Sequence, residues 1–267
     1  MKLKGKAVLL TGATGGIGHC LAREFTRRGA RMALTGRNEA ALASVVGRAV
    51  SDRGFALALP FDLSAPSGHA NLIDRAERAL GAIDVLVNNA GLSRFGLHLE
   101  QDEAAIRQVI DVNLTAPMLL ARAALPGMMR RESGQIVNVG SAFGSIAFPK
   151  FAAYSATKFA LRGFSEALRR ELAGSGVTVT YIAPRTTDTA MNTPAVREFV
   201  ARTGATMDPP DTVAHLIANA IEDGRSEVYI GWPERFFARV NAVAPQLVDR
   251  SLAGKSGQKR RIARNTA

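Results

Sequence analysis

The stretch KAVLLTGATGGIGHCLAREFTRRGA, residues 6–30, decides the fold. Its first part, KAVLLT (6–11), is a short apolar run ending at glycines, the pattern of a buried strand. Residues 16–29 then take helical spacing: Ile17, Leu21 and Phe25 recur every four residues, and Gly29 stops the helix. Between strand and helix lies TGATGGIG, with glycines at 12, 15, 16 and 18.

Outward from this unit the alternation repeats. RMALTG (31–36) reads as a second strand, and Asn38 as the N-cap of a helix running to about residue 52. FALALP (55–60), IDVLVNN (83–89), GQIVNVG (134–140), GVTVTYIAP (176–184) and SEVYIG (226–231) read as strands three to seven. Between them the periodicity predicts helices near 67–80, two covering about 100–131, one around Tyr154 and one near 210–223. Strands separated by helices of this length require a parallel sheet with right-handed crossovers. Near-continuous apolar strands are expected when helices cover both faces. The fold class is therefore α/β, a Rossmann-type doubly wound parallel sheet of seven strands, in a single domain over residues 1–253.

Bulk properties narrow the function classes. Of 267 residues, 47% are hydrophobic and 21% charged, within the range of ordinary globular proteins. No apolar run approaches the ~20 residues that span a bilayer, and the opening MKLKGKAVLLTGATGG does not read as a signal peptide. Cys20 is the only cysteine, which excludes an intrachain disulfide and fits a reducing compartment, so a cytoplasmic location is expected. The net charge is +11, and five basic residues (Lys255, Lys259, Arg260, Arg261, Arg264) with no acid fall between Lys255 and Ala267. Residues 254–267 are read as a solvated, disordered tail, with attraction to an anionic membrane surface as the alternative. No recognition motif accompanies the charge, so no nucleic-acid partner is expected. One cysteine and scattered histidines give no metal-ligand cluster.

In a doubly wound sheet, ligands bind beyond the carboxyl ends of the strands. After strand one, the glycines of TGATGGIG let a pyrophosphate approach the N-terminus of the next helix. The spacing is not GxGxxG, but a strand before and an amphipathic helix after favour a nucleotide over an ordinary turn. After strand two, where an NAD site usually presents an acid, stand Gly36 and Arg37. Arginine offers a permanently charged fork suited to a phosphate. The predicted cofactor is therefore NADP(H) in preference to NAD(H), against the plain reading of an exposed arginine beside Glu39. After strand three, Asp62 is placed to accept from an adenine amino group or to cap a helix. After strand four, NNAG (88–91) puts small residues where backbone meets ligand; Ser141 and Pro184 follow strands five and six.

Tyr154 and Lys158 in AAYSATKFAL (152–161) are neighbours on a helix face. An ammonium near a phenol favours phenolate and lowers its pKa from ~10, so the tyrosine can exchange a proton with an alcohol or carbonyl. Ser141 is positioned to hydrogen-bond the same substrate oxygen as its charge changes. Alone, YxxxK is a common pair on helix surfaces.

Together, TGATGGIG, NNAG, Ser141 and Tyr154-Ser-Ala-Thr-Lys158 resemble the short-chain dehydrogenase/reductase family, over roughly residues 4–231. The resemblance implies an oxidoreductase acting on a ketone or a secondary alcohol. It implies Tyr154 as general acid/base, Lys158 as ribose ligand and tuner of the tyrosine, and Ser141 as the group polarising the carbonyl. Asn113 of DVNLTAP would hold a water for a proton relay, or simply satisfy a helix irregularity. The implied cofactor contacts are Gly12, Thr14, Gly15, Gly16, Ile17, Gly18, Arg37, Asp62, Leu63, Asn89, Ala90, Gly91, Tyr154, Lys158, Pro184, Thr187 and Thr189. A homodimer or homotetramer is the assembly it implies.

The family usually has Pro-Gly after strand six, whereas this chain has Arg185 in the glycine place. The preferred reading points Arg185 to solvent; the alternative points it at a negative substrate or cofactor group, and a positive φ there would cost strain. Residues 188–210 are expected to form a lid, with Met191, Val196, Phe199 and Val200 lining a pocket or packing as a helix. With Phe143, Ile146, Phe148 and Phe151 near the serine, they suggest a hydrophobic substrate. In the extension 232–252, Phe236, Val240 and Val243 share one helical face with Phe237 beside them, and Pro245 ends or kinks the helix. It is read as a cap over the domain or cleft, with a membrane-surface anchor as the alternative. Two other functions stand beside the enzyme: a non-catalytic nucleotide-binding regulator, supported only by Arg185, and a Ser141 hydrolase. The latter is rejected, because His19, His69, His98 and His215 all lie away from Ser141 and no GxSxG elbow surrounds it.

Overall fold

The computed structural model describes residues 1–51, 54–204 and 206–253. Its strands are β1 (Ala7–Thr11), β2 (Arg31–Thr35), β3 (Phe55–Ala58), β4 (Val85–Asn88), β5 (Gly134–Val139), β6 (Val177–Pro184) and β7 (Glu227–Ile230). They form one sheet in the order β3-β2-β1-β4-β5-β6-β7, every pairing parallel. The chain leaves β1 in one direction and returns to start β4 on its other side. That reversal is the switch point at which such sheets open a crevice for ligands.

The helices are α1 (Gly16–Arg27), α2 (Glu39–Ser51), α3 (His69–Leu80), α4 (Glu103–Ile110), α5 (Ala116–Arg130), α6 (Ala152–Glu171), α7 (Pro194–Thr203), α8 (Pro210–Glu222), α9 (Trp232–Val243) and α10 (Pro245–Ala253). They cover both faces of the sheet. Val8 and Leu10 pack with Leu21 and Phe25 of α1 and Ile217 of α8. Ala7 and Leu9 point the other way, against Leu72 of α3 and Leu120 and Met128 of α5. Alternate residues of one strand thus enter two cores, which is why β1 is apolar from Ala7 to Leu10. The predicted Asn38 cap is present, its Oδ1 accepting from Ala41 N at 2.9 Å.

Three expectations need correction or completion. The two helices predicted for 100–131 form one run, joined by a π-helical segment at Asp111–Thr115 that contains Asn113. By length and composition that run, Glu103–Arg130, is long and apolar enough to cross a bilayer. Here Leu120, Ala121, Ala124 and Met128 spend its apolar face on the core. The apolar face expected of the extension is divided: Val240 and the half-exposed Phe237 border the central cavity, whereas Phe236 and Val243 are exposed and do not line it. The tail 254–267, with its predicted disorder, lies outside the described residues.

Candidate active site

A cavity of about 840 Å³ runs along the carboxyl ends of the strands. Every predicted site residue except Asn113 lines it. The turn after β1 forms its floor. Gly12 has φ +65°, and a Cβ there would come within 2.7 Å of Ala90 Cα, so only glycine lets the loops after β1 and β4 meet. Asn89 Nδ2 donates to the carbonyls of Thr11 (3.0 Å) and Gly12 (3.3 Å), and Thr11 Oγ1 accepts from Asn89 N and Ala90 N. The Asn89 side chain therefore builds the cradle by tying two strand ends together. Helix α1 begins without a side-chain cap and without an acid in its first turn. Its free N–H groups and dipole face a glycine-lined space, an environment suited to a phosphate. Leu63, Ile17 and Thr14 complete this half of the wall.

Arg37 is exposed at the rim and makes no ion pair among the described residues. Asp62 does not cap a helix, since α3 starts at His69 behind Gly68. Instead its Oδ1 accepts from Ser64 N at 2.9 Å and Ser64 Oγ at 2.8 Å, forming a local turn. Burial opposes ionisation of Asp62, but the Ser64 hydrogen bonds and the Arg37 charge prevail and hold its carboxyl below the usual range.

The other half of the cavity wall is assembled from the end of β5 and from α6. Ser141 follows β5, and its Oγ accepts from Phe143 N at 3.1 Å, which leaves the hydroxyl proton free to donate. Lys158 is 3% exposed. Its Nζ donates to Val139 O at 2.9 Å and lies 5.7 Å from the Tyr154 ring centroid. Burial pulls its pKa down to about 8. Burial likewise raises the Tyr154 phenol, a hydrogen bond from Ser141 acting the other way. Burial prevails at this phenol, so the lowering expected above is not found here. Lys158 keeps donor hydrogens beyond the one given to Val139, and Tyr154, Ser141 and Lys158 all face the cavity.

Asn113 lies behind this wall, fully buried. Its Oδ1 accepts from Leu92 N at 2.7 Å, and its Nδ2 donates to Leu92 O at 2.9 Å and Thr157 Oγ1 at 3.1 Å. Both amide hydrogens are committed, so the side chain clamps the loop after β4 to α6. Tyr181, unremarked in the sequence, supports Ser141 from beneath. Its Oη accepts from Ser141 N at 3.5 Å and donates to Ser141 O at 3.3 Å, and burial pushes its pKa up.

Arg185 does not point to solvent, nor does it have positive φ. Its Nε and Nη2 donate to Asp208 Oδ2 and Oδ1 at 2.8 and 2.7 Å, and Nη1 lies 3.8 Å from Glu234 of α9. Thr187 and Asp208 form a bridge beside this pair, so the lid leaves the body and rejoins it at one ionic clasp. The Thr187 carbonyl accepts from Asn192 Nδ2 at 2.7 Å, closing the first turn of the lid. Thr189 packs over the glycine cradle; a Cβ on Gly16 would meet its side chain. Beyond Tyr154 the cavity is aromatic and aliphatic. Phe143 stacks on Phe148 at 4.8 Å and meets Phe151 edge-on at 5.0 Å. Phe95, which sequence reading missed, packs on Phe151 and Phe199. Met191, Val196, Phe199 and Val200 of the lid, with Ile146, Phe237, Val240 and Leu247, close the wall.

A family model of the short chain dehydrogenases matches residues 6–198. Ketoacyl reductase HetN of a Nostoc species is 33% identical over 261 residues, covering 93% of this chain and 88% of that protein. The 3-oxoacyl-acyl-carrier-protein reductase FabG of Vibrio cholerae is 35% identical over 191 residues, covering 72% and 77%. Among solved structures, a short chain dehydrogenase from Burkholderia cenocepacia in complex with NADP superimposes with a TM-score of 0.78 at 30% identity, over 86% of this chain and 98% of that one. One from Burkholderia phymatum in complex with NAD gives 0.84 at 24% identity over 92% and 96%, a likeness of fold.

Proposed function

The chain belongs to the short chain dehydrogenase family, and on that premise we propose that it is an NADP(H)-dependent oxidoreductase interconverting an apolar ketone and a secondary alcohol, with Tyr154 as general acid/base. One observation carries the reading: Ser141, Tyr154 and Lys158 share a cavity with the glycine cradle and Arg37. The cofactor, when bound, supplies or accepts the hydride. The cradle suits its pyrophosphate, Arg37 a 2′-phosphate, and the spare donors of Lys158 a ribose.

In reduction, the raised pKa keeps Tyr154 protonated, so its Oη donates a proton to the carbonyl oxygen as that oxygen gains charge. Ser141 Oγ donates a hydrogen bond to the same oxygen, its own lone pair already engaged by Phe143 N. In oxidation both transfers reverse. The aromatic wall excludes water from this oxygen and accommodates an apolar substituent. Two relatives are named ketoacyl or 3-oxoacyl reductases, so 3-oxoacyl thioesters are the first ketones to test. A homodimer or homotetramer is the assembly proposed.

Parallel titrations of NADPH and NADH test the cofactor assignment. The wild type is expected to favour NADPH by about tenfold or more, and Arg37→Ala to erase most of that preference. Equal affinity for the two in the wild type would contradict it.

A further inference from the structure

Helix α9 holds to the body by one side. Ala238 is buried, Asn241 Nδ2 donates to Ser145 O at 2.8 Å, and Glu234 turns towards Arg185. Trp232, Phe236, Arg239 and Val243 are spaced to form a single stripe along the opposite side. Trp232 is 79% exposed, Phe236 53% and Val243 87%. The Trp232 and Phe236 rings stack 3° from parallel with centroids 6.3 Å apart, and none of the three side chains lines the cavity.

The same part of the chain concentrates positive charge. Residues 232–267 hold eight basic side chains and two acids, a net +6 of the chain's +11. Glu234, one of those acids, faces inward. An apolar stripe with a tryptophan at its end, carrying Arg239 within it, flanked by Arg235 and followed by a polybasic segment, combines the two signals that stable attachment to a lipid surface requires. A second copy is disfavoured as the occupant, because it would bring a like charge to the same face.

We infer that the outward face of α9 docks on an anionic phospholipid surface, with Trp232, Phe236 and Val243 at the acyl boundary and the basic side chains on the phosphates. Arg239, within the stripe, reaches the phosphates by extending its stem along the apolar surface. This surface stands apart from the reaction proposed above. It does bear on access, since Phe237 and Val240 of the same helix line the cavity, which sets part of the cavity wall close to the lipid.

Trp232 is the only tryptophan in the chain, so its emission reports directly on docking. The 267-residue chain is titrated with vesicles of phosphatidylcholine alone, and of phosphatidylcholine with phosphatidylglycerol. With the anionic vesicles, emission is expected to shift to shorter wavelength and acrylamide quenching to fall several-fold, both effects fading as salt rises. Arg235→Glu and Arg239→Glu are each expected to weaken binding about fivefold. Phe236→Asp with Val243→Asp should abolish it while NADPH binding, if present in the wild type, persists. No shift with anionic vesicles would overturn the proposal, as would equal binding to both vesicles. A shift without vesicles that grows with protein concentration and accompanies a doubling of mass would assign the face to a second copy instead.

Discussion

Lys158 illustrates how burial turns a side chain into a measurable quantity. Its pKa falls to about 8 in the folded chain, below the ~10.4 of an unfolded lysine. Between these values the unfolded chain binds more protons, so this group's contribution to stability rises with pH across that window and is lost as pH falls through about 8. Relative to Lys158→Met, the wild type should gain up to about 3 kcal/mol between pH 7.5 and 10, read from urea midpoints at each pH. A flat difference would mean that the ammonium is not desolvated. Tyr181→Phe removes the hydroxyl that meets both backbone groups of Ser141, and should cost about 1 kcal/mol by the same measurement. The pairing of Tyr154 with Lys158 was legible because four residues make one helical turn. The grip of Lys158 on Val139 O was not, since it depends on where β5 ends in space. The same holds for Asn113, whose partners at Leu92 and Thr157 come from distant parts of the chain.

Among the elements, the lid and its clasp carry the most testable consequence. Arg185 was visible in the sequence as a departure from the usual glycine. Its partner Asp208, 23 residues on, carried no local signal. The side chains are only 20% and 13% exposed, so the fork is screened less than a surface pair would be. Asp208→Asn should lower stability by about 1–3 kcal/mol and accelerate amide hydrogen exchange across 188–207 while leaving β1 protected. Unchanged exchange in that segment would show that the clasp does not hold the lid. Helix α9 was legible as amphipathic, but its division into a cavity side and an outward side was not. That division follows from Asn241 binding Ser145 O, a contact between elements that periodicity alone does not reveal.

At the scale of the molecule, alternating strands and helices were enough to predict one parallel sheet with its crevice at the strand ends. The order β3-β2-β1-β4-β5-β6-β7 brings the glycine cradle after β1 beside the loops after β4 and β5, and so places the cradle and Ser141, Tyr154 and Lys158 on one cavity. Apolar runs show that a strand is buried but not which strand lies next to it, so adjacency came from the structure. The size and aromatic character of the cavity were likewise only hinted at, because Phe95, Phe151 and Phe199 meet across three separate segments. The central claim is proton transfer by Tyr154 coupled to hydride transfer within this cavity. The most direct measurement is NADPH consumption with a 3-oxoacyl thioester by the wild type and by Tyr154→Phe, with NADPH affinity determined for both. The account predicts turnover by the wild type, a loss of about 10²–10⁴-fold in kcat for the variant, and affinities within about twofold, since only a hydroxyl has been removed. Turnover by Tyr154→Phe at the wild-type rate would contradict it.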